Sequence, residues 1–463
     1  MLKHIHFIGI CGVAMSALAL AFKREGHTVT GSDVGFYPPV STHLKDAGID
    51  FYPGWHPEKM GTPDLVIVGN VASSNNPEWL AVQEKNLPYK SYPEVIRDFF
   101  IKPNSIVCAG TYGKTTTATL LSWILTSCGY HPSYMFGGLA EGDFPAASLA
   151  NSNWSIVEGD EYKASRWDNG PKFAYYAPTH LLLTSIIWDH ADVYPTEASY
   201  LEAFQKLVDG LPQNGLIVIS DKVVAKIKFK AEQNLKIVTY GTSPFATYKM
   251  ANYRPSTEGS RFDIMVASEI HGIESKLLGE YMADNLTACF ALADHIGIKP
   301  NKITEAIANF PGLKRRLEKR FNGDLLIFDD IAHSPEKAKS VLQSLKKIYS
   351  DKKLIAIFEP NTGNRSAAAT NWYTDAFDAA DEVIIPRLTK VKKSASSDEQ
   401  LFEGPELTEI IKRSHTKVVH IDDDEQLVAY LEKSPAGSIV VFLGSHGFRG
   451  MIESLVKKLQ NTK

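Results

Sequence analysis

The chain has 463 residues, of which 44% are hydrophobic and 22% are charged, a composition typical of a globular protein with about two to four domains. Its formal net charge is -4, which gives no reason to expect nucleic acid or an anionic membrane as a partner.

The cysteines and the start of the chain indicate a cytoplasmic protein. The four cysteines are scattered and form no C-x-x-C pair, which argues against a zinc site or a disulfide framework. Met1–His6 leads directly into a strand-like stretch, without the apolar region of a signal peptide. No apolar run approaches the roughly 18 residues of a membrane-spanning helix. We expect a cytoplasmic monomer or homodimer.

Short apolar strands alternate with helix-length periodic segments, which predicts α/β domains with parallel sheets. The first part contains, in chain order, predicted elements at His4–Ile10, Gly12–Glu25, Thr28–Gly31, Leu65–Gly69 and Pro77–Lys85. The pattern starts again with Ser105–Ala109, Thr115–Cys128, Trp154–Val157, His180–Ser185 and Leu216–Ser220, then a more polar stretch from Lys236 to Lys276 that suggests an antiparallel edge, and helix Ala283–Ile296. A third part contains strands Leu325–Phe328, Leu354–Phe358, Glu382–Ile385, Lys417–Ile421 and Ser438–Leu443, with helix Ser334–Tyr349 among them. We therefore predict three domains, at residues 1–103, 104–316 and 317–463.

The stretch between Ser105–Ala109 and Thr115–Cys128 predicts a phosphate-binding loop. Glycines let backbone N–H groups approach phosphate oxygens, and the start of the helix adds positive potential. Lys114 can reach the β- and γ-phosphates of ATP, and the Thr115 hydroxyl can bind Mg²⁺. Cys108 stands where the full P-loop pattern has its first glycine, so the alternative is a glycine-rich turn with an incidental lysine. The predicted ATP-binding residues are Gly110, Thr111, Gly113, Lys114, Thr115 and Thr116.

The first strand–helix turn is similar to a G-x-G-x-x-G turn in which Cys11 and Ala14 replace glycines. Ser32 and Asp33 follow at the end of the next strand, where such folds place a ribose-binding acid. We predict a nucleotide diphosphate over the helix N-terminus; the alternative is a tight turn that requires small residues. The predicted ligand-binding residues of the turn are Gly9, Cys11, Gly12, Val13, Ala14, Met15 and Ser16.

Acidic and basic clusters follow several predicted strands. Glu158 comes directly after Trp154–Val157 and, with Thr115, is a predicted Mg²⁺ ligand. His190, in the run Asp189-His190-Ala191-Asp192, is a predicted ligand of a second metal ion. For each cluster the alternative is a solvated loop of charged residues.

The predicted junction near residue 316 and the turn after Leu325–Phe328 carry further candidate residues. An arginine at the junction can stabilise a transferring phosphoryl group, and acids after the strand can contact the ATP ribose or an incoming amine. The alternatives are a basic linker and an ordinary capped turn at Ser334-Pro335. The candidates are Arg315, Arg316, Asp329, Asp330 and His333.

Taken in this order, these segments resemble the Mur ligases over essentially the whole chain. Members of that family have the shortened P-loop G-T-x-G-K-[ST]-[ST], which accounts for Cys108. The resemblance implies a Rossmann-like UDP-binding domain, a P-loop ATPase-like central domain and a Rossmann-like C-terminal domain. It also implies ATP and Mg²⁺, ligation through an acyl phosphate, and further ligand contacts by Asn70 for the UDP-sugar and Asn285 for ATP.

Several segments resemble the murein peptide ligase branch, among them Tyr37–Thr42, Val68-Gly69-Asn70 and Gly444–Gly450. That branch implies joining of UDP-N-acetylmuramate to L-alanyl-γ-D-glutamyl-meso-diaminopimelate in peptidoglycan recycling. Free L-alanine as the acceptor remains an alternative, as does a nucleotide-binding regulator without activity. A dinucleotide oxidoreductase accounts only for the first turn. Departures from the family pattern are Tyr112, Lys163, Ser185, Ile187, Tyr281, Met282 and Ser334.

Overall fold

The computed structural model describes residues 3–190, 193–389 and 401–461, and the strands in these ranges form three sheets of five, ten and six strands. No helix in these ranges is long and apolar enough to span a membrane. The three sheets and the helices between their strands confirm the predicted α/β architecture, and parallel pairing is dominant in each sheet.

The first sheet is parallel, with strand order β3-β2-β1-β4-β5. The order reverses at β1, because β2 lies on one side of it and β4 on the other. Ligands bind at such switch points, beyond the carboxyl ends of the strands, and the turn at residues 9–12 lies there. The elements are β1 (His4–Ile8), α1 (Val13–Arg24), β2 (Thr28–Asp33), α2 (Val40–Asp46), β3 (Asp50–Pro53), β4 (Leu65–Val68), α3 (Pro77–Glu84), β5 (Tyr89–Ser91) and α4 (Tyr92–Val95).

The second sheet has the order β15-β14-β13-β12-β11-β10-β6-β9-β7-β8. Its strands are β6 (Asn104–Ala109), β7 (Ser133–Met135), β8 (Ala147–Ser148), β9 (Trp154–Gly159), β10 (His180–Leu183), β11 (Leu216–Ser220), β12 (Lys236–Gly241), β13 (Tyr248–Ser256), β14 (Gly259–Val266) and β15 (Glu269–Ser275). The helices of this part of the chain are α5 (Lys114–Ser127), α6 (Glu197–Asp209), α7 (Glu280–His295) and α8 (Pro300–Ala308).

Strand β6 lies between β10 and β9 and runs parallel to both. In this register Cys108 is beside Glu158, and Ala109 is beside Leu183. The carboxyl ends of the three strands therefore meet at one edge, and they bring together the loop after β6, the acidic segment after β9 and the segment that leads to His190.

The third sheet has the order β16-β17-β21-β18-β19-β20, in which only the β16–β17 pair among the described strands is antiparallel. Its elements are β16 (Glu318–Asn322), β17 (Leu326–Asp330), α9 (Pro335–Ile348), β18 (Leu354–Glu359), β19 (Glu382–Pro386), α10 (Gly404–Lys412), β20 (Val418–Ile421), α11 (Asp424–Glu432), β21 (Ile439–Gly444) and α12 (Met451–Asn461).

By its internal contacts the chain divides into two compact units. The first unit consists of Met1–Asn252, Phe262–Glu274 and Asp284–Pro311, and the second of Tyr253–Arg261, Ser275–Ala283 and Gly312–Lys463. The predicted boundaries near 103 and 316 fall in the gaps between the three sheets, and we keep them as proposed domain limits. Two short stretches from before residue 316 belong to the second unit, which the sequence pattern did not predict.

The predicted antiparallel edge at Lys236–Lys276 is correct for β13, β14 and β15, which are neighbours in the sheet and are joined by two-residue connections that only antiparallel strands allow, but it is wrong for β12. Strand β12, at the start of this stretch, pairs in parallel with β11 and extends the parallel part of the sheet. Strand β12 lies between β11 and β13 but is only partly covered: Val238 and Tyr240 are buried, whereas Lys236 and Ile237 are exposed. The exposed positions made the segment look more polar than the central strands.

Candidate active site

The loop after β6 wraps backbone around the start of α5. Gly110 and Gly113 have φ angles of +134° and +85°, which favour glycine. A Cβ atom on Gly110 would lie 2.8 Å from the Ser185 backbone nitrogen, so a side chain does not fit there. The Thr111 hydroxyl donates to the Ile187 carbonyl oxygen over 2.9 Å, which fixes the loop to the segment after β10. The predicted ATP-binding residues thus form one continuous loop, in which the Thr116 side chain is buried.

Lys114 occupies the centre of this loop and is held by a carboxylate. Its Nζ atom lies 2.9 Å from Glu161 Oε2 and donates to the Gly110 carbonyl oxygen over 2.8 Å. Glu161 is 1% exposed. Burial opposes the charge on both groups, but their mutual attraction outweighs it: the pKa of Lys114 is raised and the pKa of Glu161 is lowered. Lys114 is therefore a permanent cation in the loop.

His190 belongs to the same cluster, where it faces Glu161 rather than Glu158. Its Nε2 atom lies 3.5 Å from Glu161 Oε1. Burial alone would lower the pKa of His190, but the Glu161 carboxylate raises it. Glu161 was part of the acidic run in the sequence but was not selected as a site residue. The available signal was that Glu161 is the third acid of the run that starts at Glu158 and lies just beyond the end of the same strand.

Glu158 and Thr115 form an oxygen-rich pair beside Lys114. The Thr115 hydroxyl donates to Glu158 Oε1 over 2.8 Å, and the Gly137 backbone N–H donates to Glu158 Oε2 over 2.6 Å. A carboxylate and a hydroxyl are the ligands that Mg²⁺ prefers when phosphates supply the remaining positions. The described residues contain no cluster of three or more His, Cys, Asp or Glu side chains that could hold a metal ion alone. The pair therefore fits a cation that arrives with a phosphate ligand.

Asn285 lies against the loop from the side of α7. A Cβ atom on Gly113 would lie 2.6 Å from Asn285 Oδ1, so the amide packs directly on this glycine. The departures from the family pattern at Ser185 and Tyr112 contact each other, because the Tyr112 backbone N–H donates to Ser185 Oγ over 2.9 Å. Ser185 thus supports the loop from the end of β10.

The turn between β1 and α1 presents backbone rather than side chains. Gly9 has a φ angle of +89°, and Gly12 is the N-cap of α1, so the first N–H groups of the helix, at Val13, Ala14 and Met15, point out of its end. The Met15 and Ser16 side chains are buried, so any ligand contact by these two residues has to be made by the backbone.

The carboxylates of Asp33 and Glu78 support this turn through hydrogen bonds. Asp33 accepts a 2.8 Å hydrogen bond from the Cys11 backbone N–H and so holds the turn itself. Ser32, a predicted ligand residue, is fully buried and donates to Glu78, which removes its side chain from the ligand side. Asn70 lies exposed after β4, at the same edge of the sheet.

Glu78 is a completely buried carboxylate that should make the stability of this region depend on pH. It accepts from Tyr52 Oη over 2.7 Å and from the His56 backbone N–H over 2.8 Å. Burial favours its neutral form, but these donors, with Ser32 and His6, lower its pKa. A carboxyl with a lowered pKa in the folded state stabilises the fold above its unfolded pKa, near 4.5, and loses this contribution as the pH falls through its folded pKa.

We expect Glu78→Gln to cost about 1–3 kcal/mol at pH 7, because the amide places donors where only acceptors are needed. Thermal unfolding of both proteins from pH 7 to pH 3.5 measures this. The difference in unfolding temperature between the wild type and Glu78→Gln should narrow below pH 4.5. A difference that stays constant over the whole range would contradict the assignment.

In the second unit, Arg315 and Asp329 are bound to each other. Arg315 Nε lies 3.3 Å from both Asp329 oxygens, and its terminal nitrogens donate to the carbonyl oxygens of Gly444, Ser445 and His446. Asp329 is 1% exposed, and burial raises its pKa to about 6 despite Arg315 and Arg320. In this structure the two side chains join β17 to the turn after β21, and the predicted roles of Arg315 on the phosphoryl group and of Asp329 in ATP binding stay predictions.

Asp330 also has an internal role, since it accepts from the Leu317 and Ala332 backbone N–H groups over 2.7 and 2.8 Å. His333 Nδ1 lies 2.7 Å from the Ile331 carbonyl oxygen. Arg316, by contrast, makes no side-chain hydrogen bond or ion pair within the described residues. Its neighbours Arg315 and Leu317 both have positive φ angles, of +57° and +49°. The Arg316 guanidinium is nevertheless close enough to Asp330 and Tyr281 to oppose the rise in their pKa that burial causes.

The two adjacent arginines should therefore respond differently to substitution. We expect Arg315→Ala to destabilise the second unit by about 3 kcal/mol, because it leaves Asp329 buried beside one arginine instead of two. We expect Arg316→Ala to destabilise the second unit less than Arg315→Ala does, because Arg316 makes no side-chain hydrogen bond among the described residues although its charge offsets that of the buried Asp330, and we expect it to lower turnover. Thermal unfolding and ATP turnover of the two variants measure this contrast. Equal loss of stability in both would contradict it.

Comparison with known proteins agrees with this arrangement. Residues 4–102 match the model of the Mur ligase family, catalytic domain; residues 108–293 match the Mur ligase middle domain; and residues 315–446 match the Mur ligase, glutamate ligase domain. The chain is 33% identical over 392 residues to UDP-N-acetylmuramate--L-alanyl-gamma-D-glutamyl-meso-2,6-diaminoheptandioate ligase of Escherichia coli (strain K12), covering 82% of this chain and 84% of that protein.

The chain belongs to the Mur ligase family. It is accordingly an ATP-dependent ligase that forms C–N bonds. It is also 28% identical over 468 residues to UDP-N-acetylmuramate--L-alanine ligase of Bartonella bacilliformis, covering 98% of this chain and 96% of that protein. The structure of UDP-N-acetylmuramate-alanine ligase from Thermotoga maritima superposes with a TM-score of 0.80, at 21% identity and with both chains fully covered. This last likeness establishes the Mur ligase fold.

Proposed function

We propose that this Mur ligase joins UDP-N-acetylmuramate to the tripeptide L-alanyl-γ-D-glutamyl-meso-diaminopimelate at the expense of ATP, in peptidoglycan recycling. The observation that carries the ligase part is the cluster of Lys114, Thr115, Glu158 and His190 around one phosphate-binding loop. The choice of acceptor is supported by the 33% identity to the Escherichia coli enzyme, against 28% to the alanine ligase of Bartonella bacilliformis.

In the proposed reaction, the diphosphate of UDP-N-acetylmuramate binds at the start of α1, where helix N–H groups and the helix dipole favour an anion. ATP binds the loop after β6, with the Lys114 ammonium on its terminal phosphates. The muramate carboxylate attacks the γ-phosphate, which gives an acyl phosphate and releases ADP. The α-amine of the peptide then attacks the activated carbonyl, and phosphate leaves as the amide forms.

The protein contributes mainly positioned charge. In this proposal, Lys114 stabilises the negative charge that develops on the transferring phosphoryl group, and Arg316 remains a candidate for the same task. Thr115 and Glu158 would hold Mg²⁺, which neutralises phosphate charge when bound. The contact with Glu161 holds the His190 imidazole at the edge of the same loop, where it would bind a second metal ion.

Phosphate release from ATP tests the proposal. Purified protein receives ATP, Mg²⁺ and UDP-N-acetylmuramate, with the tripeptide, L-alanine or no acceptor in parallel. We expect phosphate release and a new amide product with the tripeptide. Release with L-alanine alone would assign the chain to the alanine ligases, and folded protein that binds ATP but releases no phosphate would favour a nucleotide-binding regulator.

A further inference from the structure

An aromatic cluster outside both nucleotide sites connects the first sheet to the loop after β9. It consists of Trp79 on α3, Tyr89 on β5, and Arg166 and Trp167 on the loop, and we call it the tryptophan clamp. The indole rings of Trp79 and Trp167 are stacked, with centroids 5.1 Å apart and 9° between their planes. Tyr89 packs edge-on against both rings, and the Arg166 guanidinium lies 5.4 Å from the centre of the Trp79 ring.

The loop that carries Trp167 starts in the ATP site. Residues 160–172 form this loop, and Glu161, near its first end, holds Lys114. Backbone hydrogen bonds close the loop on itself, from Ala164 N–H to the Gly170 carbonyl oxygen over 2.7 Å and from Lys172 N–H to the Tyr162 carbonyl oxygen over 3.1 Å. These hydrogen bonds connect the two sides of the loop between Glu161 and Trp167.

Helix α3 connects the other side of the clamp to the first turn. Glu78, next to Trp79, accepts a hydrogen bond from Ser32, and Asp33 accepts one from the Cys11 backbone N–H. Direct contacts therefore run from Lys114 through the loop and the two tryptophans to the turn before α1. All of these residues belong to the first unit.

We propose that Trp167 is a positioning residue, which by stacking on Trp79 sets the distance between the muramate carboxylate and the γ-phosphate of ATP. This inference rests on the proposed function. Phosphoryl transfer requires near-contact of the reacting atoms, and an error of about 1 Å costs up to about 100-fold in rate. Trp79 is a core residue at 4% exposure, whereas Trp167 is 42% exposed, so Trp167 contributes its contact without forming part of the core.

Three variants separate positioning from packing. Trp167→Ala removes the stack, Trp167→Phe keeps an aromatic face, and Trp372→Ala is the control, because Trp372 is similarly exposed, at 45%, and lies in the second unit. We expect Trp167→Ala to lower kcat about 10- to 100-fold, with less than a twofold change in the separate Kd values for ATP and for UDP-N-acetylmuramate. Trp167→Phe should recover most of the loss, and Trp372→Ala should match the wild type. An unchanged kcat for Trp167→Ala, or a loss explained by weaker binding of one nucleotide or by unfolding, would overturn the proposal.

A second readout does not depend on turnover. The Kd of a non-hydrolysable ATP analogue is measured with and without UDP-N-acetylmuramate, and the ratio of the two values is the coupling between the sites. We expect a ratio different from one in the wild type and close to one in Trp167→Ala. If the wild type shows coupling, Trp167→Ala abolishes it and neither protein ligates an acceptor, the inference stands and the proposed function is refuted. If the wild type ligates the acceptor and Trp167→Ala changes neither kcat nor the coupling, the proposed function stands and the inference is refuted. If the wild type shows neither coupling nor ligation, both are refuted.

Discussion

We expect Lys114→Ala to lower the rate of phosphate release about 1000-fold at saturating substrates. The Lys114 ammonium is the cation fixed inside the phosphate-binding loop, and removal of one preorganised charge of this kind costs about 10²–10³ in rate. The measurement is single-turnover phosphate release with ATP, UDP-N-acetylmuramate and the acceptor that supports turnover. Activity within tenfold of the wild type would refute the assignment of the loop.

Lys114→Ala also leaves the buried Glu161 carboxylate with only His190 beside it, and the loss of the lysine destabilises the fold by about 3 kcal/mol. Loss of activity through unfolding must therefore be separated from loss of charge. We expect the double variant Lys114→Ala with Glu161→Gln to regain much of the stability, since it neutralises the stranded carboxylate, and to remain inactive. Lys206→Ala, at an exposed ion pair on α6, is the control for a lysine without this role.

The second large effect is expected for Glu158→Gln. The variant keeps an oxygen for the Thr115 hydroxyl and for the Gly137 backbone N–H but removes the negative charge from the proposed Mg²⁺ site. We expect turnover to fall about 100-fold or more and the apparent affinity for Mg²⁺ to weaken, because charge neutralisation by the metal contributes several kcal/mol to such reactions. Titration of activity with Mg²⁺ measures both quantities.

Glu202→Gln is the matched control, because Glu202 is an exposed acid on α6 paired only with Lys206 among the described residues. It should retain the turnover and the Mg²⁺ dependence of the wild type. If Glu158→Gln required no more Mg²⁺ than this control, Glu158 would not be a metal ligand, and its role would be limited to holding Thr115 and Gly137.

The sequence predicted the buried parallel strands well, because a strand covered on both faces appears as a short, continuous apolar run. Leu216–Ser220 was predicted with its exact ends, and Leu354–Phe358 and Ser105–Ala109 within one residue. Strand β16 was missed, since the run Glu318–Asn322 consists mostly of charged and polar residues at the antiparallel edge of its sheet. Strand β3 was missed for a similar reason, as its four residues are only partly covered.

The candidate site was predictable where it depends on local order along the chain. Lys114 and Thr115 follow β6, and Glu158 lies near the end of β9; the carboxyl ends of these strands must meet in a parallel sheet, and the three residues do lie together. The partnership of Arg315 with Asp329 was not predictable, because it joins a residue in the turn before β16 to a residue on β17 and is a property of their packing. The same holds for Glu161, whose role depends on the side chains that enclose it rather than on its position in the acidic run.

The make-up of the second unit limits how the protein can be dissected. This unit includes the stretches Tyr253–Arg261 and Ser275–Ala283, and Leu278 packs in the same core as Leu317 and Phe328. Lys347 also pairs with Glu280 over 2.7 Å. A recombinant fragment that starts at residue 317 would lack the Leu278 contact and expose apolar surface, which favours self-association. Acceptor binding is therefore best studied in the intact chain, and a soluble C-terminal fragment would need the two missing stretches grafted back.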